Sequence, residues 1–231
     1  MLTRDEAKAF YDRFGAKQDG QAFYEDCAID DLLLHGGFEE AEAVYELGCG
    51  TGRFAEKLFR DHLGADAEYH GTDLSGTMVT LASERLAPYA DRVRLDETDG
   101  RIEIDEPQAS LDRVVSTYVL DLLSEEDIAA FLDEALRTLR WNGRLCLAGL
   151  CPGPTFGTKI ISTVWSLVHR LRPVTVGGCR PLELGRRLEN DPNWELRHRR
   201  VLVAYGLASE VVIATPNPDR IESASKTAGV A

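Results

Sequence analysis

One run constrains this chain more than any other: Glu46-Leu47-Gly48-Cys49-Gly50-Thr51-Gly52, which ends an apolar segment begun at Ala43 and leads directly into Arg53-Phe54-Ala55-Glu56-Lys57-Leu58-Phe59. Strand, tight glycine turn and helix in that order present backbone N–H groups to a nucleotide-like ligand in an α/β protein. The alternating glycines permit positive φ and let a ligand approach where a Cβ would block it. About twenty residues on, a second apolar segment ends in His70-Gly71-Thr72-Asp73, and an acid at that place accepts from the hydroxyls of a ribose.

The spacing narrows the ligand. A dinucleotide fingerprint needs glycine at its sixth position, where this chain has Arg53, and a phosphate-cradling loop needs Gly-Lys-Ser/Thr at its end, which is absent. With Glu46 two residues ahead of the first glycine, the stretch resembles the first motif of the class I S-adenosylmethionine (SAM)-dependent methyltransferases, Glu/Asp-x-Gly-x-Gly-x-Gly.

Length and composition set the outer bounds. The 231 residues suit one domain with a substantial core, and 44% hydrophobic content is that of a globular protein. No apolar run reaches the roughly 18 residues of a membrane span, and Met1-Leu2-Thr3-Arg4-Asp5-Glu6 lacks the features of a signal peptide, so a cytoplasmic location is expected. A formal charge of −13 opposes nucleic acid as a partner. The five cysteines form no Cys-x-x-Cys pair, so neither a disulfide framework nor a metal is expected.

In chain order, Ala7, Phe10, Tyr11 and Phe14 make an amphipathic helix over 3–14, with Thr3 and Glu6 as a capping box. A second helix is read over 21–34 with Phe23, Cys27, Leu33 and Leu34 as its apolar positions. Strands follow at 44–47, 67–72, 93–96, 111–116 and 144–150, alternating with helices at 52–62, 75–86 and 124–140, which specifies a parallel sheet covered on both faces. Beyond Cys151-Pro152-Gly153-Pro154 a helix is expected over 158–171 and another over 181–188. Segments 194–205 and 210–215 then read as an antiparallel hairpin joined at Gly206. Residues 216–231 are too polar to fold.

Taken together the chain resembles the class I methyltransferases over roughly residues 40–215. Within them it is similar to the small-molecule group that includes the quinone-biosynthesis enzymes, whose aromatic-acid opening looks like Phe10-Tyr11-Asp12-Arg13-Phe14. The resemblance implies a Rossmann-like α/β fold, a seven-stranded, mostly parallel sheet of order 3-2-1-4-5-7-6. It also implies a helical cap at 1–36, a core at 37–215 with a cover at 151–190, and a flexible tail at 216–231.

For SAM the resemblance implies Glu46, Gly48, Gly50 and Gly52 beneath the methionine moiety and Asp73 on the ribose. It places Leu74 and Met78 against adenine or ribose, Asp99-Gly100 at the adenine amino group, Thr117 at the methionine ammonium, and Tyr11 at the pocket. Tyr11, Tyr118 and Asp121 are the leading catalytic candidates; Tyr24, His169 and Arg180 are others. Because the sulfonium supplies most of the driving force, alignment and exclusion of water are the main demands. Transfer to a small-molecule acceptor is the expected activity. A lipid acceptor at a membrane surface, suggested by Trp165, His169, Arg170 and Arg172, and a non-catalytic SAM-binding protein stay open as alternatives.

Overall fold

A computed structural model describes residues 3–153 and 180–218. The sheet has seven strands in the order β3-β2-β1-β4-β5-β7-β6. In chain order the strands are β1 (Ala43–Leu47), β2 (Glu68–Asp73), β3 (Val93–Glu97), β4 (Leu111–Thr117), β5 (Leu139–Leu150), β6 (Trp194–Ala204) and β7 (Leu207–Pro216). Every pairing is parallel except those of β7 with β5 and β6. The hairpin turns at Tyr205 and Gly206, both at positive φ (53° and 84°), the two-residue turn whose twist matches right-handed strands.

Six helices are described: α1 (Arg4–Phe14), α2 (Ala22–His35), α3 (Arg53–Asp61), α4 (Gly76–Arg85), α5 (Glu125–Thr138) and α6 (Leu184–Glu189). The caps are those the sequence specifies: Thr3 and Glu6 form the capping box of α1, Ser75 accepts from the Met78 N–H, and Ser124 accepts from the Asp127 N–H.

Alternation along the central strands feeds two separate cores. Val115, Cys146, Ala148 and Val211 face one side and pack with Leu32 of α2 and Phe54 and Leu58 of α3. Val114, Leu145, Leu147 and Val212 face the other and pack with Phe131 and Leu132 of α5 and Leu188 of α6. Both faces are dry, which is why these strands read as continuous apolar runs. The loops after the strands of a parallel sheet therefore gather at its carboxyl edge, where a ligand site belongs.

Three readings need correction. The buried face of α2 is Ala28, Ile29, Leu32 and Leu33, laid against the sheet, while Phe23 (54%) and Leu34 (74%) are exposed and Cys27 is exposed too. Its apolar residues outnumber the positions the sheet can cover. Strand β5 begins at Leu139 rather than after Gly143, because Leu139 is buried and pairs with Leu111. Pro216 closes β7 instead of opening a tail. The expected helix at 158–171, with Trp165 and His169, and most of the tail lie outside the described residues.

Candidate functional site

The glycine loop is clasped to the end of β2. Gly48, Gly50 and Gly52 all adopt positive φ (76°, 53° and 75°). The Gly48 and Cys49 N–H groups donate to the Thr72 carbonyl at 2.7 and 2.9 Å, and the Gly52 N–H donates to the Cys49 carbonyl at 2.9 Å. The Gly50 N–H donates to Asp73 Oδ2 at 2.9 Å. Several amides expected beneath the methionine moiety are thus engaged inside the protein, and what the loop offers a ligand is its shape. A Cβ on Gly48 would overlap the Val119 side chain, and one on Gly52 would crowd Ala82 at 3.1 Å, so the last glycine serves the approach of α3 to α4.

Asp73 Oδ1 accepts the Ser75 N–H at 2.9 Å. Burial raises the Asp73 pKa, opposed by hydrogen bonds from the Ser75, Gly50 and Leu74 backbone. Beyond these three donors the carboxylate keeps lone-pair capacity for a ligand hydroxyl.

Asp73 lines a cleft of about 1060 Å³, counting its open mouth. Tyr11, Leu74, Met78 and Gly100 share this lining, as do Gly48, Gly50, Thr117 and Tyr118 at its inner end. Sequence reasoning missed Arg4 and Ala7, which bring α1 to the mouth; Arg4 pairs with Asp127 of α5 at 3.1 Å. The capping box located that helix but not the face it turns inward. Asp99 is absent from the lining. It sits exposed in a turn, its Oδ1 accepting the Arg101 N–H at 3.0 Å and its Oδ2 facing Arg101 Nε at 3.0 Å.

A smaller cavity adjoins the cleft, and Gln18, Gly48, Gly50, Thr117 and Tyr118 line both. Its walls add Glu46, Arg53 and Glu25. Glu46 is 1% exposed; Tyr69 donates to its Oε2 at 2.5 Å, and burial pushes its pKa up to about 8. Glu25 lies on α2, with Oε2 accepting from Arg53 at 3.3 Å. Its Oε1 is buried and has no hydrogen-bond partner among the described residues. Burial raises its pKa to about 7. No sequence signal marks Glu25, one acid among several on α2; only the loop packed against it makes it special.

Tyr118 follows β4 with φ 56°, a left-handed conformation that costs a non-glycine residue on the order of 1 kcal/mol or more. It is held there by its N–H, which donates to the Ala148 carbonyl at 2.8 Å, and by its hydroxyl, which donates to Ser209 at 2.8 Å. Tyr24 meets its ring edge-on at 5.9 Å. Asp121 lines neither cavity. It is 1% exposed, accepts a long hydrogen bond from the Leu150 N–H at 3.4 Å, and has an unpartnered Oδ1 among the described residues. Burial lifts its pKa to about 7. Arg180 caps this region, its N–H donating to the Asp121 carbonyl at 3.1 Å.

Elsewhere, Asp31, His35 and His198 bring metal-capable atoms within 4.8 Å of one another. Arg200 donates to Asp31 Oδ1 at 2.8 Å and His198 meets Oδ2 at 2.7 Å, so the carboxylate is already shared between two side chains of β6 and ties α2 to that strand.

Residues 44–143 match the family model described as a methyltransferase domain. That stretch of the chain is similar to a methyltransferase domain. Stretches of a non-reducing polyketide synthase, ausA, are 30% identical over 126 residues in Aspergillus calidoustus and 32% identical over 128 residues in Emericella nidulans. Each alignment takes in 53% of this chain, which spans only about 5% of the length of those relatives. Among solved structures, the [4+2]-cyclase SpnF is similar with a TM-score of 0.69 at 15% identity, covering 93% of this chain and 97% of that one. The Streptomyces coelicolor A3(2) geranyl diphosphate C-methyltransferase, with Mg2+, geranyl diphosphate and S-adenosylhomocysteine, gives 0.63 at 14% identity, covering 84% and 79%. At these identities the likeness is one of fold, and the fold is that of the class I methyltransferases.

SAM is the methyl donor of this class of domain, and the residues present fit it. The Asp73 carboxylate lines the cleft with capacity for a further donor, Leu74 and Met78 supply apolar walls, and Gly48 and Gly50 line the cleft without side chains. When bound, SAM supplies a methyl group on a positively charged sulfur. Among the described residues, no helix is long and apolar enough to cross a membrane.

Proposed function

We propose that this chain transfers the methyl group of SAM to a small organic acceptor. The observation that carries this reading is the joining of two cavities through Gly48, Gly50, Thr117 and Tyr118, one built around Asp73 and the other around Glu25. A donor lying across both, its methionine end over Glu46, Gly48, Gly50 and Thr117, would hold its methyl group near Tyr118, where an acceptor could be aligned for displacement. Asp73 would hold the ribose, Leu74 and Met78 the adenine or ribose faces, and Tyr11 with α1 would close the mouth against water. Tyr118, wall to both cavities, would align the reacting groups through its ring, since its hydroxyl is committed to Ser209.

A small acceptor agrees with the charge of −13, which disfavours a polyanion. It agrees also with the neighbour crystallised with geranyl diphosphate and with the likeness to a stretch of polyketide synthases. The lipid reading rests on residues outside the described part of the chain.

The test is release of S-adenosylhomocysteine in the presence of a panel of phenols, thiols, amines and prenyl diphosphates, with SAM binding followed by calorimetry. Product with any of them supports the reading. Tight SAM binding without product from a broad panel would favour a use of this fold other than transfer, as the cyclase neighbour illustrates.

A further inference from the structure

Three acids stand in the wall of the smaller cavity, Asp19, Glu25 and Glu46, and their partners separate them. Asp19 receives the Thr51 hydroxyl at 2.6 Å and is paired with Arg85. Glu46, the acid of the glycine motif, receives the Tyr69 hydroxyl at 2.5 Å, and hydrogen bonding from Thr117 also favours its charged form. Glu25 receives Arg53 on Oε2 at 3.3 Å. Burial raises its pKa to about 7, against the Arg53 charge and the hydrogen bonds of Tyr24 and Arg53, with Asp26 adding to the rise. Its Oε1 is nevertheless buried without a hydrogen-bond partner among the described residues, in a residue 7% exposed.

A buried acceptor atom without a donor is costly, and a ligand that fills the cavity can bring the missing donor. The same wall holds Glu46, Gly48, Gly50 and Thr117, over which the methionine end of the methyl donor lies on the reading above. That end carries a carboxylate and an α-ammonium, and only the ammonium has N–H groups to give. We infer that Glu25 receives the α-ammonium of SAM on its Oε1 and so makes the site require an amino acid as well as a nucleoside. The inference rests on SAM being the donor. It brings α2 into the donor site, from ahead of the residues 44–143 that match the family model.

The charges around the cavity favour Glu25 for this role. Arg53 lies 3.3 Å from its Oε2 but only 2.5 Å from Asp26, so Glu25 is held in place without being fully neutralised. Lys57, the other cation of the wall, is engaged by Asp26 and Asp30 at 3.0 and 2.9 Å. An ammonium at Oε1 would therefore supply the positive partner that neither gives it, through a charge-assisted hydrogen bond. Glu46, which burial pushes up to about 8, is mostly neutral near neutrality and offers a cation less. Glu25 is half ionised there, and the ammonium itself draws it to the charged form.

The test needs no identified acceptor. S-adenosylhomocysteine, its decarboxylated analogue and 5′-methylthioadenosine share one nucleoside thioether; the second lacks the carboxylate, and the third lacks the amino group as well. Calorimetry of all three with wild type and Glu25→Gln, by displacement where binding is weak, should show the first two weakened by the same factor, roughly tenfold to hundredfold, and methylthioadenosine unchanged. Unchanged binding of S-adenosylhomocysteine by the variant would overturn the inference. So would an equal weakening of all three, which would make Glu25 a purely structural residue, or a loss confined to S-adenosylhomocysteine, which would put it at the carboxylate. Failure of wild type to bind any of the three would defeat SAM as the donor, a distinct outcome. If Glu25→Gln does not fold, crystals of wild type with S-adenosylhomocysteine decide. The ligand's amino nitrogen should lie within about 3.2 Å of Glu25 Oε1, and a nitrogen held only by Glu46 or by the backbone around Thr117 would refute the assignment.

Discussion

The Gly50 N–H and the Asp73 carboxylate are hydrogen-bonded at 2.9 Å across 23 residues of sequence. The bond makes the glycine loop and the acid after β2 one unit: the carboxylate that would receive a ribose also fixes the turn beneath the rest of the ligand. Each end of the pair lies at the carboxyl edge of adjacent parallel strands, β1 and β2.

Replacing Asp73 with Ala should therefore remove the ribose acceptor and release the loop together. The expected loss is about 2–3 kcal/mol in SAM affinity, roughly thirtyfold to two-hundredfold, measured by calorimetry. Asp73→Asn, which can still accept from Gly50, should lose less. Equal losses for the two would show that the charge matters more than the loop contact.

Gly48 and Gly50 allow a controlled comparison. Both have positive φ, but an added Cβ meets Val119 at Gly48 and nothing within 4 Å at Gly50. Gly48→Ala should cost about 1–3 kcal/mol more in urea unfolding than Gly50→Ala, the excess reporting overpacking rather than backbone strain. Similar costs would mean that Val119 moves aside freely.

How legible all this was in the sequence depends on the range of the forces involved. The caps at Thr3, Ser75 and Ser124 and the turn at Gly206 follow from local chemistry, which acts at short range, whereas the strand order came from the resemblance to a known family. The face of α2 did not, because Phe23 and Leu34 are as apolar as Leu32 and only the sheet decides which are covered. Asp73 was readable from its spacing, whereas Glu25 became distinctive only once Arg53 and the glycine loop were packed beside it. Asp121 was visible as a break in Tyr118-Val119-Leu120-Asp121-Leu122-Leu123, but whether it faced a cavity depended on how the turn after β4 settled.

Asp31 ties α2 to the edge strand. Its side chain is 3% exposed and receives His198 and Arg200. Desolvation raises its pKa, but those two donors outweigh it and hold the carboxyl below its ordinary value. A depressed carboxyl contributes stability that is present above its unfolded pKa and lost as pH falls through the folded one. Asp31→Ala should therefore cost about 1 kcal/mol near neutral pH, where it takes a partner from the partly buried His198 and the exposed Arg200, and less in strong acid. A penalty independent of pH would show that α2 is held by its apolar face alone.

Glu46 has the opposite sign. Burial raises its pKa from 4.5 to about 8, so between those values the folded state holds a proton that the unfolded state has lost, and stability falls as pH rises through that window. Glu46→Gln keeps an acceptor for the Tyr69 hydroxyl without a titrating charge. Its stability relative to wild type should increase from pH 4.5 to 8 by a few kcal/mol, and urea unfolding at the two ends of the window would read it. A constant difference would place the Glu46 titration outside that range.

Asp121 carries the same argument into the neighbourhood of Glu25. Its carboxyl is buried, its Oδ1 lacks a partner among the described residues, and its pKa rises from 3.8 to about 7, chiefly through burial. Ionisation there is resisted twice, by the missing solvent and by the like charge of Glu25. The folded pKa lies above the unfolded one, so the wild type loses stability as pH climbs from 3.8 to 7 and Asp121→Asn does not. The variant should melt higher than wild type at pH 8, with little difference at pH 4. A melting temperature lowered equally at both pH values would mean that the carboxylate supports this turn through its contact with Leu150.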